Sequence, residues 1–266
     1  MEYLEFFLYG LIQGFTEFIP VSSTAHLKVI SEFLGINDPG SSLSAIIQLG
    51  SVLALIWHFK NDIFKLKNKS SSRVFDCFLN SKLFKSIYIG TIPIVLLGFS
   101  IKIFIPNFFN NFLRSNLSIA LVSFIMAIFM YVAECSKKSS INLSNHIYTD
   151  SLLIGFSQAF AIFPGVSRSG VTISTALISG WERGDAAKYS FLLGIPSISL
   201  AAIVEFISSL NEFSSFGFLP LIVGITTTFL SSLLAINFLL KYFSSNGLKL
   251  FIIYRVIFGI VILLKL

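Results

Sequence analysis

The sequence predicts an all-α integral membrane protein, with six transmembrane helices and two re-entrant helical pairs arranged as an inverted-topology repeat. Of its 266 residues, 55% are hydrophobic and 12% are charged, with a mean hydropathy of +0.84. A soluble domain carries about 25% charged residues, so a soluble all-helical protein is disfavoured. The apolar runs are also long and continuous, which argues against the alternating strands of an outer-membrane barrel. Finally, two short polar stretches interrupt apolar sequence.

The chain opens with two short apolar segments, residues 4–19 and 25–34. Each is shorter than the roughly 20 residues that cross a bilayer, so together they predict a re-entrant pair. Residues 20–24 between them are termed the first break. Irregular backbone at membrane depth is stable only when protein buries it or when it lines a wet cavity. Three full spans are predicted next, at residues 43–59, 86–105 and 117–133.

Residues 151–180 repeat this design, with a second break at residues 164–169. Three further spans are predicted at residues 189–208, 217–240 and 248–264.

The two halves also resemble each other in sequence. Residues 10–15 (GLIQGF) resemble residues 155–160 (GFSQAF) at an offset of 145. Each half has an odd number of spans, which inverts the second copy in the membrane. We therefore expect one membrane domain over residues 1–266, built from repeat halves 1–134 and 150–266.

Basic residues are concentrated in a few loops. Thirteen of the 19 Lys and Arg residues lie at residues 60–85, 135–150, 181–188 and 241–249. By the positive-inside rule these loops are cytoplasmic, so the net charge of +6 reflects topology and no nucleic-acid partner is expected. Cys77 and Cys135 fit no metal spacing and are expected to be inert thiols.

The second break lies in the sequence PGVSRSGVT, residues 164–172. A charge in apolar surroundings is costly, and the forked guanidinium of Arg168 suits phosphate oxygens. The alternative is a structural arginine that binds carbonyl groups. The hydroxyls of Ser167, Ser169 and Thr172 are either phosphate donors or helix caps.

Glu17 lies within an apolar helix, four residues after Gln13 and on the same helical face. A buried carboxylate needs a cation or a proton, so Glu17 is a candidate metal ligand or proton acceptor. Gln13 would add a carbonyl oxygen to a site for Mg²⁺ or Ca²⁺. The alternative is a structural pair between Glu17 and an arginine.

Ser23 and His26 are three residues apart, a spacing typical of an activated nucleophile and its neighbour. His26 could equally orient the site or bind phosphate. Arg255, in the last span, is a candidate second phosphate contact or a partner for a carboxylate. We expect the two breaks to face each other and to form one site.

These residues resemble the motifs of the undecaprenyl-diphosphatase family, the bacitracin-resistance type of membrane phosphatase. The family's (E/Q)xxxE and PVSSTxH stand at residues 13–17 and 20–26, and its PGxSRSxxT at residues 164–172. The resemblance runs nearly end to end, and includes residues 47–51, 133–135 and 253–255.

The resemblance implies removal of the terminal phosphate of undecaprenyl diphosphate, which recycles the lipid carrier for peptidoglycan and confers bacitracin resistance. It implies a bacterial cytoplasmic (inner) membrane protein whose site opens toward the outer face. Ser23 would be the nucleophile, and Glu17 an activating or metal-binding carboxylate. Ser167, Arg168, Ser169 and Thr172 would hold the diphosphate, with Arg168 also a catalytic candidate, and His26 matches a family histidine. Ser22 is a further candidate substrate contact.

Gln13 departs from the family, where glutamate is common, so a two-carboxylate metal site is in question. Expected partners are the lipid substrate and the bilayer, with bacitracin competing by binding that substrate; a homodimer is compatible with the sequence. An inverted repeat with broken helices is also a transporter plan, so a flippase for the same carrier is the alternative.

Overall fold

The computed structural model describes residues 2–65, 81–104, 115–136, 141–208 and 217–265. Within these ranges the regular elements are helices. The first half contains α1 Glu2–Phe18, α2 Ser23–Leu34, α3 Gly40–Ile47, α4 Leu49–Lys65, α5 Lys82–Phe104 and α6 Asn116–Cys135. The second half contains α7 Tyr148–Ala159, a 3₁₀ turn Phe160–Ile162, α8 Arg168–Ile178, α9 Arg183–Ser208, α10 Phe218–Phe243 and α11 Lys249–Lys265.

Five helical segments of the described chain are long and apolar enough to cross a membrane. They are Ser42–Asn61, Lys82–Ile101, Asn116–Cys135, Arg183–Ile207 and Phe218–Phe243. The predicted all-helical, multi-pass membrane class is therefore confirmed. The predicted sixth span, residues 248–264, corresponds to α11, which has 17 residues. Cys77 and much of the basic loop at residues 60–85 lie outside the described residues, and Cys135 is a free, exposed thiol.

The helical path is interrupted at both breaks that the sequence predicted. α1 ends two residues before Pro20, and α2 begins at Ser23. The second interruption contains Pro164, and α8 begins at Arg168. Proline has no N–H and disfavours helix at the residue before it, so both interruptions have a local cause.

Small residues allow the helices next to the breaks to pack closely. In the first half α1 lies along α10, where a Cβ on Gly10 would stand 2.6 Å from the carbonyl oxygen of Gly224. In the second half α7 lies along α5, where a Cβ on Gly155 would stand 2.7 Å from the Cα of Gly90. Membrane helices associate through such small-residue contacts. The residues at an offset of 145 thus play matching roles.

Two boundaries differ from the sequence prediction. The fourth span is predicted from residue 189, but α9 begins at Arg183, where Asp185 in the first turn interacts favourably with the helix dipole. The first span is predicted as one helix; α3 and α4 are divided at Gln48, whose backbone nevertheless stays helical, with φ −61° and ψ −21°. The Gln48 side chain reaches the site described next.

Candidate active site

Glu17 lies at the centre of the polar cluster, at the end of α1, with 6% of its surface exposed. Its Oε2 accepts three hydrogen bonds: from Gln13 Nε2 at 2.7 Å, Ser23 Oγ at 2.8 Å and Gln48 Nε2 at 2.9 Å. A carboxylate oxygen with three donors is held in one orientation. The Ser23 hydroxyl proton therefore points at the carboxylate that could accept it.

Arg168 approaches the same carboxylate from the second half of the chain. Its Nη2 lies 3.4 Å from Glu17 Oε1, and its Nη1 donates to the Ser190 carbonyl at 3.0 Å. Its Nε is buried and has no hydrogen-bond partner. Gly194 leaves space for the guanidinium, because a Cβ there would lie 2.6 Å from Nη1. A buried cation with a long ion pair and an unused donor has capacity for a further anion.

Two helices that follow the breaks each contribute their first residue to the contacts of Glu17. Ser23 is the first residue of α2 and Arg168 is the first residue of α8, and both contact this carboxylate. The first N–H groups of a helix have no partner within the helix, and the helix dipole adds positive potential there. A helix that begins at Ser23 and another that begins at Arg168 are therefore each suited to binding an anion near its first turn.

The hydroxyls in and just after the second break form hydrogen bonds with other groups of the protein. Ser167 Oγ caps α8 by accepting from Gly170 N at 3.1 Å, and lies 3.1 Å from Ser169 Oγ. Ser169 Oγ donates to the Ile19 carbonyl at 3.2 Å, which joins the second break to the residue before the first break. Thr172 Oγ1 donates to the Arg168 carbonyl at 2.8 Å. Their assignment as phosphate donors stays a prediction.

His26 is buried beside the first break, but neither ring nitrogen has Ser23 as its partner. Nδ1 lies 2.8 Å from the Ser22 carbonyl oxygen, and Nε2 lies 2.6 Å from Tyr254 Oη on α11. The ring stacks on Phe258, with centroids 4.3 Å apart. His26 therefore contacts the backbone carbonyl of Ser22 and not the Ser23 hydroxyl.

Arg255 is also fully buried, and its donors are directed at backbone carbonyls. Nη1 donates to Pro20 O at 3.3 Å and Nη2 to Gly165 O at 2.6 Å, which connects the two breaks. Nε donates to Ser123 O at 3.4 Å. The structure gives Arg255 no described carboxylate partner, so its predicted phosphate contact remains a prediction.

Comparison with known proteins identifies the family. The profile of the family described as "Bacitracin resistance protein BacA" matches residues 6–261. The chain belongs to the BacA family. An undecaprenyl-diphosphatase of Prochlorococcus marinus strain AS9601 is 76% identical over 266 residues, covering 100% of this chain and 97% of that relative. Another, of Trichodesmium erythraeum, is 44% identical over 259 residues, covering 96% and 83% respectively.

Sequence reasoning missed three residues of this BacA site: Gln48, Ser190 and Tyr254. Gln48 was detectable as a polar residue within an apolar span, and both Gln48 and Tyr254 lie in stretches that carry the family resemblance. Ser190 contributes its carbonyl to Arg168 and its hydroxyl, at 2.6 Å, to Thr172 Oγ1. A backbone carbonyl has no signal in the sequence.

A divalent cation at this site of the BacA chain would have a single carboxylate as its charged protein ligand. Among the described residues, no group of three or more His, Cys, Asp and Glu side chains is placed to hold a metal. The cluster has one carboxylate, Glu17, and the amides of Gln13 and Gln48 turn their Nε2 groups toward it. Mg²⁺ is commonly held by one or two carboxylates together with substrate phosphates, so Glu17 fits a cation that also binds the diphosphate.

Proposed function

We propose that this protein hydrolyses undecaprenyl diphosphate to undecaprenyl phosphate and inorganic phosphate. The curated relatives bear the name undecaprenyl-diphosphatase, and this chain covers 97% of one that is 76% identical. The observation that carries the proposal is the meeting of Ser23 and Arg168 on Glu17 at two helix N-termini. A nucleophile, a base and an anion-binding group are thus held in one buried cluster.

The diphosphate is bound mainly by charge and by directed donors. Arg168 offers its unpartnered Nε, and the helix ends offer backbone N–H groups. The hydroxyls of Ser22, Ser167, Ser169 and Thr172 are the further substrate contacts of this proposal, and each would exchange a protein partner for a phosphate oxygen. In phosphoryl transfer the protein contributes mostly positioning and charge neutralisation, which this arrangement supplies.

The chemistry follows from the hydrogen bond between Ser23 and Glu17. Glu17 accepts the hydroxyl proton as Ser23 Oγ attacks the terminal phosphorus, and the bond to the bridging oxygen breaks. Undecaprenyl phosphate leaves, and water hydrolyses the phosphoserine to release inorganic phosphate. In the alternative path Glu17 activates a water that attacks the same phosphorus directly. Trapping phosphate on Ser23 distinguishes the two paths.

A Mg²⁺ or Ca²⁺ ion would be held by Glu17, Gln13, Gln48 and substrate oxygens. Such an ion supplies charge neutralisation between the carboxylate and the diphosphate, which otherwise repel each other. Gln13 and Gln48 orient Glu17 Oε2 through their amide N–H groups, and each amide would rotate to give its oxygen to the ion.

The architecture is completed as six spans and two re-entrant pairs in an inverted repeat within one membrane domain. α11 serves as the sixth span, while α2, α7 and α8, with 12, 12 and 11 residues, are too short to cross singly, and α1 ends at the first break. The matched contacts of α1 on α10 and of α7 on α5 support this arrangement. Basic loops on the cytoplasmic side orient the site toward the outer face of the inner membrane.

Recycling of the lipid carrier supports peptidoglycan synthesis, and bacitracin competes for the substrate by binding it. The prenyl chain lies along apolar helix surfaces in the bilayer, while the headgroup enters the site. We keep a homodimer as an expectation of this proposal.

Phosphate release by the purified protein from undecaprenyl diphosphate tests the proposal. Wild-type protein should release phosphate, and the Arg168→Ala variant should not, although it inserts and folds normally. The purified protein, reconstituted in lipid vesicles, also tests the flippase alternative. The measurement there is movement of intact lipid between the two leaflets. Transport without phosphate release would contradict hydrolysis and favour the flippase.

A further inference from the structure

His26 and Tyr254 form a contact that the proposed chemistry does not use. His26 is 2% exposed, and its Nε2 lies 2.6 Å from Tyr254 Oη. The rings of Tyr254 and Phe258 on α11 both stack on the imidazole, at centroid distances of 5.6 and 4.3 Å. The histidine of α2 is therefore fixed in place by α11.

The partners of His26 determine which nitrogen carries hydrogen. The Ser22 carbonyl oxygen can only accept, so Nδ1 must be the donor across the 2.8 Å contact. In the neutral ring Nε2 then has the lone pair, and the Tyr254 hydroxyl donates to it. Both nitrogens are thus engaged, and neither is available to take a proton from Ser23.

The carbonyl that His26 holds belongs to a strained residue. Ser22 has φ 76°, which makes it a non-glycine residue with positive φ, directly before Ser23. It is the N-cap of α2 but makes no side-chain capping bond. Its carbonyl accepts from both His26 N, at 3.2 Å, and His26 Nδ1. Unusual backbone conformations persist only where surrounding contacts fix them.

We propose that Tyr254 is a positioning residue for the nucleophile and acts through His26. By donating to Nε2 it fixes the Nδ1–H tautomer, and Nδ1–H holds the Ser22 carbonyl so that the Ser23 hydroxyl faces Glu17. His26 is accordingly a positioning residue and not the base. This inference rests on the proposed function of the site, and its tests include a measurement that does not depend on activity.

The first test compares two replacements of His26. Asparagine has an N–H close to the position of Nδ1 but cannot titrate, whereas leucine has no donor. His26→Leu should lower kcat by about 100-fold with little change in KM, because the serine is misplaced after the substrate has bound. The kcat of His26→Asn should be about tenfold higher than that of His26→Leu. Equal inactivity of the two variants would overturn the inference.

The second test removes only the hydroxyl of Tyr254. Tyr254→Phe should lower kcat by about fivefold, because the tautomer is no longer fixed. Tyr131→Phe on the exposed surface of α6 is the matched control and should be unchanged. Activity of Tyr254→Phe equal to that of this control would overturn the inference.

The third test observes the imidazole directly, by ¹⁵N NMR of histidine-labelled protein in detergent. The chain has three histidines, so loss of a signal in His26→Asn assigns His26. Wild-type protein should show the Nδ1–H tautomer, and Tyr254→Phe should show a mixture. An Nε2–H tautomer in the wild type contradicts the inference even if phosphatase activity is present. Absence of that activity would instead contradict the proposed function.

Discussion

The first and second breaks are similar in backbone arrangement but contribute different chemical groups to the site. Ser23 and Arg168 are separated by the repeat offset of 145, and each begins the helix that follows its break. The first half supplies the acid and the serine, and the second half supplies the cation. Neither half contains the whole cluster, because Glu17 and Ser23 come from the first half and Arg168 comes from the second.

The two breaks also differ in how they are held. Ser167 caps its own helix through Gly170 N, and the preceding positive φ falls on a glycine, Gly165 at 92°. In the first break the positive φ falls on Ser22, which lacks a side-chain cap. Arg255 of α11 donates to both breaks, at Pro20 O and Gly165 O. The second break has a side-chain cap of its own as well, whereas the first has further contacts from α11 through His26 and Tyr254.

The largest expected effect comes from removing either charge of the shared cluster. Glu17→Gln and Arg168→Ala should each lower kcat/KM by about 1,000-fold, because the base and the anion-binding group act on one substrate. The measurement is phosphate release from undecaprenyl diphosphate. Glu32→Gln, at an exposed position of α2, is the control and should match the wild type. A loss of activity in only one of the two variants would contradict the claim that both breaks serve one substrate.

The next prediction contrasts the glycines Gly194 and Gly50, which are 144 residues apart. A Cβ on Gly194 would meet the Arg168 guanidinium at 2.6 Å, which can move, so Gly194→Ala should lower kcat by about 100-fold without unfolding. A Cβ on Gly50 would meet Ile225 backbone and Thr228 Cβ, which cannot move easily. Gly50→Ala should instead reduce stability by about 2 kcal/mol.

Activity and thermal unfolding, measured on both glycine variants, separate these outcomes. Loss of stability without loss of activity in Gly194→Ala would show that the guanidinium position is not important for turnover.

A smaller effect is expected from the glutamines Gln13 and Gln158, which are related by the offset of 145. Gln13 Nε2 donates to Glu17, whereas Gln158 lies 3.5 Å from Gly90 O and accepts from Ser197 at 3.2 Å. Gln13→Leu should lower kcat by about tenfold, because Glu17 loses an orienting donor. Gln158→Leu should change Tm while kcat stays within about threefold of wild type. Steady-state kinetics and thermal unfolding test the pair, and the reverse pattern would contradict this division of roles.

The smallest effect distinguishes the two helix caps. Ser167→Ala should lower the unfolding free energy by about 1 kcal/mol, since it removes the bond from Gly170 N. Ser22→Ala should cost less than about half of that, because Ser22 makes no capping bond. Thermal unfolding of the two variants, compared at matched detergent concentration, measures the difference. Equal losses would show that capping does not distinguish the breaks.

The sequence was sufficient to predict the helical class, the positions of both breaks and the meeting of Glu17 with Arg168. Hydropathy and proline positions are local signals, and the ion pair follows from the cost of burying two opposite charges separately. It did not predict the contacts of Gln48, Arg255 and Tyr254. These join residues 31, 235 and 228 positions apart, and depend on how the helices pack.

The most direct measurement of the central claim is a structure of the protein bound to a non-hydrolysable prenyl methylenediphosphonate. The expected result places oxygens of the diphosphonate within hydrogen-bond distance of Arg168, with the terminal phosphorus next to Ser23 Oγ. A diphosphonate bound away from either residue would contradict the claim that the two breaks form one site.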